Sequence, residues 1–222
     1  KAYCRQRGLT ASFMAQLGAG FQGLSQHPHV SLFDKNSGDN LFIEQGKGDM
    51  SPLFQHFVAG MLAMIPEAMA LTHQTSNSYR RHAPGNWAPR SASWARQNYL
   101  AAIRVITAPD SHCRLEYRLP GADANPHLNL AYILGAGLWG IETKPELPDE
   151  FTGGGPQELP DTGPPLAHDL FIAAERLAAS DNAKTIWGEA FIEHFIAAIR
   201  SEEATLRRET SAAERARYLE IV

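Results

Sequence analysis

The sequence contains little cysteine, no long apolar run and little net charge, and each scarcity excludes a class of protein. Two cysteines among 222 residues cannot build a disulfide framework, which is typical of proteins in a reducing cytosol. The lack of a run of about 18 apolar residues argues against a membrane span. A net charge of −4 gives no electrostatic reason to expect binding to nucleic acid or to an anionic membrane. We therefore expect a cytoplasmic protein that binds neither.

A targeting signal and an initiator methionine are also missing from the first residues. Residues 1–10 are polar and compatible with a helix, so we expect no signal peptide. Because the sequence begins with Lys1 rather than methionine, we expect it to be a piece of a longer chain.

The residues that are present suffice for a folded core, since 44% are hydrophobic and 20% are charged. Strand patterns come early and helical patterns late, which predicts an α+β fold. The predicted strands form a hairpin within residues 18–42 and lie at 93–106 and 113–119, the last two joined by a turn at 108–111. The predicted helices lie at 51–66, 125–140, 167–179, 183–208 and 212–222. Irregular segments, one a long surface excursion, are predicted at 77–90 and 142–168.

His27, His29 and Ser31 alternate along a predicted strand, so their side chains share one face of it. Neutral histidine is a common metal ligand, and an imidazole N–H can contact a phosphate oxygen. The pattern is compatible with a metal or phosphate site. It is also compatible with the solvent-exposed face of a hairpin, which the spacing alone favours. Of the nine histidines, only His27 and His29 are predicted to have a functional role.

Arg114, Glu116 and Arg118 alternate along a second predicted strand in the same way. Arginine suits bidentate recognition of carboxylate or phosphate, and a glutamate between two arginines stays ionised, as a metal ligand must. A surface strand with cross-strand ion pairs would have the same pattern, and this strand alone favours that interpretation. However, this strand does not stand alone. Taken with the two histidines, with Arg104 and with Arg80 and Arg81 of the loop, it predicts a site for Mg²⁺ and nucleotide phosphate.

The segment Asn77-Ser-Tyr-Arg-Arg-His-Ala-Pro-Gly-Asn-Trp-Ala-Pro89 closely resembles a loop of the glutamine synthetase family. Further blocks resemble that family in the same order, among them Leu9-Thr-Ala-Ser-Phe-Met-Ala, the His-x-His-x-Ser-Leu strand, Arg114-x-Glu-x-Arg118 and Ala122-Asp-Ala-Asn-Pro-His-Leu-Asn-Leu-Ala131. The resemblance covers nearly the whole chain. It implies that residues 1–222 form a glutamine synthetase-like catalytic domain, an antiparallel sheet flanked by helices. It also implies that this is the C-terminal part of a longer chain, without the N-terminal domain.

The activity that the resemblance implies is ATP-dependent ligation. In this family ATP phosphorylates the glutamate side chain, and ammonia or an amine then displaces phosphate from the γ-glutamyl phosphate. Two or more Mg²⁺ or Mn²⁺ ions per site hold the phosphates, and we expect residues outside this chain to complete their ligands. The implied partners are glutamate, ATP, ammonia or an amine, and further copies of the chain in a homo-oligomer of the double-ring type.

The family's motifs, matched residue by residue, imply a role for each candidate site residue. Metal ligands are expected at His27 and Glu116. ATP contacts are expected at His29, Ser31, Phe33 and Arg114. Glutamate contacts are expected at Gly23, Arg81 and Arg118. Catalytic roles are expected for Arg81 and for Arg104, which corresponds to an arginine that stabilises the phosphoryl group during transfer.

Trp87 and Tyr99 depart from the family's pattern. Trp87 stands where ammonia-dependent members carry a glutamate that attracts ammonium, and Tyr99 replaces a second phosphoryl-contacting arginine. Because an indole can stack on an amine or bind its cation, we assign Trp87 to an amine pocket. With Trp87 in this role, the sequence most resembles the branch of the family that joins glutamate to a polyamine or to ethanolamine. Two alternatives stay open: an ammonia-using glutamine synthetase, and a non-catalytic paralogue with an assembly or regulatory role.

Overall fold

The computed structural model describes residues 1–18, 20–44, 46–83, 85–107, 112–153 and 165–219. Its helices are α1 (Ala2–Arg5), α2 (Pro52–Ala68), α3 (Ser76–Arg80), α4 (Pro126–Thr143), α5 (Leu170–Ala179), α6 (Asp181–Trp187), α7 (Glu189–Arg207) and α8 (Ala212–Tyr218). Its strands are β1 (His29–Val30), β2 (Ile43–Glu44), β3 (Asp49–Met50), β4 (Trp94–Arg96), β5 (Ile103–Ile106) and β6 (Arg114–Tyr117). A 3₁₀ turn, Met69–Leu71, follows α2. The predicted turn at 108–111 and residues 154–164 of the predicted surface excursion lie outside the described residues.

A four-stranded sheet in the order β1-β6-β5-β4 forms one layer of the fold. The β1–β6 and β6–β5 pairs are antiparallel, whereas β5 and β4 are parallel. Helices pack against this sheet, so the predicted α+β class, with a mostly antiparallel sheet flanked by helices, is confirmed.

The register of this sheet aligns three polar residues from three strands. His29 on β1 lies opposite Glu116 on β6, and Glu116 in turn lies opposite Arg104 on β5. Residues directly opposite one another across paired strands project from the same face of a sheet. Leu115 and Tyr117 alternate with them, are fully buried and belong to the hydrophobic core. The sheet therefore has one polar face for chemistry and one apolar face for packing.

The predicted hairpin within residues 18–42 is confirmed only next to its turn, where Phe33 and Asn40 form an antiparallel bridge. The Leu41 N–H donates to the carbonyl of Leu32, but β1 pairs with β6, and β2 pairs with β3 in a separate two-stranded sheet. The buried side chain of Asn40 explains the change of direction. Its amide donates to the carbonyl of Cys113, and its oxygen accepts from the Phe42 N–H, so the chain turns away after the tight loop.

Two other predicted elements are divided in the structure. The predicted strand at 93–106 is two parallel strands, β4 and β5, because the chain turns back after Gln97, whose φ is 52°. The predicted helix at 183–208 is interrupted at Gly188, whose φ of 89° lies outside the helical region. The predicted irregular segment at 77–90 is helical in its first residues, because α3 extends to Arg80.

The core lies between the sheet and a close pair of helices, α2 and α4. Gly60 and Gly140 form the contact: a Cβ added to Gly60 would lie 2.4 Å from the Gly140 Cα. Side-chain caps fix the start of each helix, since the Ser51 side chain accepts from the Phe54 N–H and the Asn125 side chain accepts from the His127 N–H. These helices hold the apolar face of the sheet in place.

One segment, Pro52–Leu71, is long and apolar enough to cross a membrane by length and composition alone. It has a mean hydropathy of 1.3 and is 67% buried inside the fold. It comprises α2 and the 3₁₀ turn, which lie in the core described above. Its apolar character is explained by that packing.

Candidate active site

Glu116 is the centre of a charged cluster on the polar face of the sheet. Its carboxylate accepts from Arg104 Nη1 at 3.0 Å and from Arg118 Nη1, and its side chain is 5% exposed. Burial alone would raise the pKa of Glu116, but the hydrogen bond from Arg104 and the charge of Arg118 outweigh burial and lower it. Glu116 is therefore ionised at neutral pH.

His27 lies beside this carboxylate with one ring nitrogen unused. Its Nδ1 is 3.1 Å from Glu116 Oε1, and its buried Nε2 has no hydrogen-bond partner within the described ranges. Burial, and next the charge of Arg118, lower the pKa of His27 to about 4, so the ring is neutral at pH 7. Arg118 Nη1, which can only donate, also lies 3.3 Å from this Nδ1, so Nδ1 either accepts from Arg118 or donates to the Glu116 carboxylate. In the tautomer in which Nδ1–H donates to the carboxylate, Nε2 carries a free lone pair.

The residues around Glu116 fit a divalent cation only in part. A neutral imidazole with a free buried Nε2 is a suitable ligand, and so is an ionised carboxylate. However, both carboxylate oxygens of Glu116 already accept hydrogen bonds from arginines. Across the part of the chain that the structure describes, no group of three or more His, Cys, Asp or Glu side chains is placed to hold a metal. A cation here needs ligands in addition to His27 and Glu116.

A cavity of about 190 Å³ opens next to this cluster. Its lining includes five of the predicted site residues: Gly23, His27, Arg81, Trp87 and Arg118. Gln22, Ser25, Asn86 and Ala88 complete it. The Trp87 side chain is 60% exposed, so its ring is free to contact a molecule in the cavity. The structure thus brings the predicted glutamate and amine positions together.

The two arginines of the cavity are rigidly held. Arg81 is buried and donates to the carbonyls of Leu119 and Arg118, while Arg118 Nε donates to the carbonyl of Tyr99. Burial, and next the charge of Arg118, lower the pKa of Arg81 to about 10, which leaves it protonated at neutral pH. A Cβ on Gly23 would lie 2.7 Å from the Arg81 Cγ, so only glycine fits against this side chain. Two fixed cations near one cavity favour an anionic ligand.

The predicted ATP contacts lie on β1, just after it and at the start of β6, outside the cavity lining. Arg114 Nε donates to His29 Nδ1 at 3.1 Å. Burial lowers the pKa of His29; the charge of Glu116 opposes this shift, and the charge of Arg114 adds to it. The Ser31 hydroxyl donates to the carbonyl of Cys113, so its proton is engaged. Phe33 is 49% exposed. His29 is aligned with the Glu116 cluster by register, but Ser31 and Phe33 are not gathered with it.

Sequence reasoning missed two groups of side chains around the cavity. The Tyr99 ring lies over two guanidinium groups, with its centroid 4.1 Å from the Arg104 Cζ and 5.2 Å from the Arg118 Cζ, a contact that the sequence did not predict. His73, whose position carries no strand or motif signal, and His82, which lies within the family-like segment 77–89 but has no predicted role, form a hydrogen-bonded pair behind Arg81.

Comparison with known proteins agrees with this geometry. Residues 1–218 match the family described as glutamine synthetase, catalytic domain. The chain is 36% identical over 223 residues to a glutamate–isopropylamine ligase of Pseudomonas sp, covering 100% of this chain and 48% of that protein. It is 35% identical over 219 residues to type-1 glutamine synthetase 2 of Dictyostelium discoideum, with 97% and 42% covered. It is 34% identical over 193 residues to the gamma-glutamylputrescine synthetase of Escherichia coli (strain K12), with 87% and 40% covered. The chain spans about half the length of these curated relatives.

Proposed function

The chain belongs to the glutamine synthetase family, and from this premise we propose that the protein is an ATP-dependent ligase that joins the γ-carboxylate of glutamate to an amine. The reaction proceeds through a γ-glutamyl phosphate, from which the amine displaces phosphate. The observation that carries the proposal is the cavity in which Trp87 lies with the two fixed arginines Arg81 and Arg118. It combines a place for an anion with an aromatic surface for an amine.

Glutamate is bound, in this proposal, by the two cavity arginines. Arg81 and Arg118 attract the carboxylates, and Gly23 lets the substrate approach the backbone where a side chain would collide with Arg81. Because their guanidinium groups are tied to backbone carbonyls, both arginines are positioned before the substrate arrives. This arrangement supports recognition of a dicarboxylic amino acid.

Mg²⁺ or Mn²⁺ would be held by His27 and Glu116, with further ligands from residues outside this chain. When bound, such a cation supplies charge stabilisation for phosphoryl transfer. His27 offers the lone pair of Nε2, and Glu116 offers a carboxylate whose ionised form the arginines maintain. Arg104 lies beside Glu116 and contributes positive charge where the transferred phosphoryl group passes. His29, Ser31, Phe33 and Arg114 contact ATP.

The amine lies against Trp87. An exposed indole offers apolar surface to an alkyl chain and a π face to an ammonium group. Two relatives support an amine as the second substrate, since their names specify isopropylamine and putrescine.

The proposal includes an assembly and a location. The protein works in the cytoplasm as a homo-oligomer of the double-ring type. An ammonia-using glutamine synthetase is the second candidate, because the Dictyostelium relative bears that name at nearly the same identity.

The third candidate, a non-catalytic paralogue, rests on Trp87 and Tyr99 together. It does not account for the continued presence of His27, Glu116 and the arginines of the cavity, which an assembly protein does not need.

Phosphate release by the intact, full-length protein tests the three candidates. We expect release from ATP only when glutamate and an amine are both present, with mixtures lacking glutamate or amine as controls. A panel of alkylamines, diamines, alkanolamines and ammonia separates the first two candidates. Release with ammonia alone would favour the glutamine synthetase, and no release with any member of the panel would favour the non-catalytic paralogue.

A further inference from the structure

His73 and His82 are hydrogen-bonded to each other behind the loop that carries Arg81 and Trp87. Their Nε2 atoms are 2.9 Å apart, and their ring centroids are 5.0 Å apart. His73 is fully buried and His82 is partly buried. Neither ring lines the cavity, and the proposed ligase reaction uses neither.

The direction of each hydrogen bond in this pair follows from its two ends. His82 Nδ1 lies 2.7 Å from the carbonyl oxygen of Pro89, which only accepts, so Nδ1 carries the hydrogen. In the neutral ring the His82 Nε2 is then the acceptor, and His73 Nε2 must donate to it. His73 Nδ1 is left to accept from the Thr72 hydroxyl, 2.9 Å away, whose single proton is shared with the carbonyl of Met69 at 3.1 Å. All four ring nitrogens are used in one relay from Thr72 to Pro89.

This relay joins the core to both ends of the loop. Thr72 follows the 3₁₀ turn at the end of α2, in the buried centre of the protein. His82 is adjacent to Arg81 in the chain, and Pro89 is two residues after Trp87. Displacement of the His82 ring would therefore move Arg81 and Trp87, which line the cavity.

Packing alone does not explain two histidines at this place. Removing polar ring nitrogens from water costs free energy unless each has a partner, and an apolar pair of similar size would fill the space without that cost. The imidazoles instead fix the orientation of each ring, because each ring makes two directional hydrogen bonds. Asn86 strengthens the same arrangement, since its side chain donates to the carbonyl of Arg81 at 2.9 Å.

We propose that His73 and His82 are positioning residues that hold Arg81 and Trp87 in the arrangement that binds glutamate and amine. This inference rests on the proposed ligase function. Neither histidine touches substrate; both act through the loop. A substrate-binding group that is displaced by a small distance contributes much less to substrate binding and turnover. We therefore expect loss of the relay to raise the KM for glutamate by about tenfold. The KM for ATP should stay within about twofold, because the expected ATP contacts lie on another part of the sheet.

The test uses variants of the intact, full-length protein that break the relay at different points. His82→Asn keeps a donor for the Pro89 carbonyl but is too short to reach His73, and His82→Gln reaches His73 but loses Pro89. His73→Leu, His82→Leu and the double variant remove the relay altogether. His194→Leu, at an exposed position on α7, is the matched control. The KM values for glutamate and ATP, kcat, glutamate affinity by calorimetry and thermal melting are measured for each.

The relay predicts that each single variant raises the KM for glutamate and weakens its binding, and that the double variant is no worse than a single one, because the first break already destroys the connection. Additive effects, or a KM for glutamate within about twofold of the unsubstituted protein in folded variants, would overturn the proposal. Reduced kcat that only follows a lower melting temperature would also overturn it, since that result indicates a stability role.

Calorimetry separates this proposal from the ligase function. If the unsubstituted protein turns over no amine and no ammonia, weaker glutamate binding in the relay variants still supports the positioning role, and unchanged binding refutes it. If the unsubstituted protein binds no glutamate at all, both proposals fail together.

Discussion

The ring of Tyr99 lies over the guanidinium group of Arg104, with 4.1 Å between the ring centroid and Cζ. The same ring lies 5.2 Å from the Arg118 Cζ, and the backbone carbonyl of Tyr99 accepts from Arg118 Nε. Tyr99 therefore holds two cations that converge on Glu116. A neutral side chain at this position thus orients two positive charges on the polar face of the sheet.

The Tyr99 ring, rather than its hydroxyl, should support turnover. We expect Tyr99→Phe to keep kcat within about twofold and Tyr99→Leu to lower it about tenfold, since cation–π contacts contribute about 0.5–2 kcal/mol. Steady-state kinetics at saturating substrates measures both. A Phe variant as impaired as the Leu variant would instead assign the role to the hydroxyl.

Exchange of Trp87 should change which amine is used. Trp87→Glu removes the apolar ring that an alkyl chain would contact and places a carboxylate in the cavity, which attracts ammonium and alkylammonium alike, so the alkylamine loses its advantage. We expect the ratio of kcat/KM for ammonia to that for alkylamines to rise about tenfold or more. Trp87→Phe, which keeps an aromatic surface, is the control. An unchanged ratio in Trp87→Glu would place the amine elsewhere.

Loss of the Glu116 charge should weaken metal binding and the fold together. Glu116→Gln leaves the guanidinium groups of Arg104 and Arg118 without their shared anion, and breaking a buried ion pair costs about 3–5 kcal/mol. We expect a lower melting temperature and Mn²⁺ binding at least about tenfold weaker. Glu175→Gln, which breaks an exposed ion pair with Arg200, is the control and should change little. Unaltered Mn²⁺ titration in a folded Glu116→Gln protein would refute the metal assignment.

The paired histidines should make the folded state sensitive to acid. Burial first, and then the charge of Arg81, lower the pKa of His82 to about 4, and burial lowers the pKa of His73. In the unfolded chain both titrate near about 6.5. Their contribution to stability is therefore complete above that pH and is lost as pH falls toward 4, at up to about 1.4 kcal/mol per pH unit for each ring.

Urea unfolding at several pH values between 8 and 4 measures this loss. We expect the free energy of unfolding to depend less on pH in the His73→Leu/His82→Leu variant than in the unsubstituted protein, while His194→Leu retains the full dependence. Equal slopes in all three proteins would show that the pair does not resist protonation in the folded state.

Local patterns predicted the elements and the polar strand faces well. The helical patterns at 51–66 and 125–140 indicated α2 and α4, and both helices are present. Alternation placed Arg114, Glu116 and Arg118 on one face of a strand. The structure adds which residues lie opposite them, because pairing partners come from distant parts of the chain.

The features that the sequence pattern could not predict depend on contacts between residues that are far apart in the chain. The reversal at Gln97 uses a left-handed conformation at a residue that is not glycine, so no turn signal marks it. His73 and His82 lie nine residues apart without a strand or helical spacing that would join them, and only their contact in the fold reveals the pair. The amine pocket was inferred from one substitution in a family motif and still awaits its test.

The antiparallel register across β1, β6 and β5 also limits which changes of sequence the charged cluster can tolerate. Side chains alternate between faces, so inserting a single residue into β6 would turn Glu116 toward the apolar side and bring Leu115 or Tyr117 to the polar side. The charged cluster can therefore be altered by substitution but not by small insertions or deletions. Variation in length is confined to the connecting loops, and under the proposed ligase function the loop with Trp87 is where a new amine specificity would arise while the charged cluster stays unchanged.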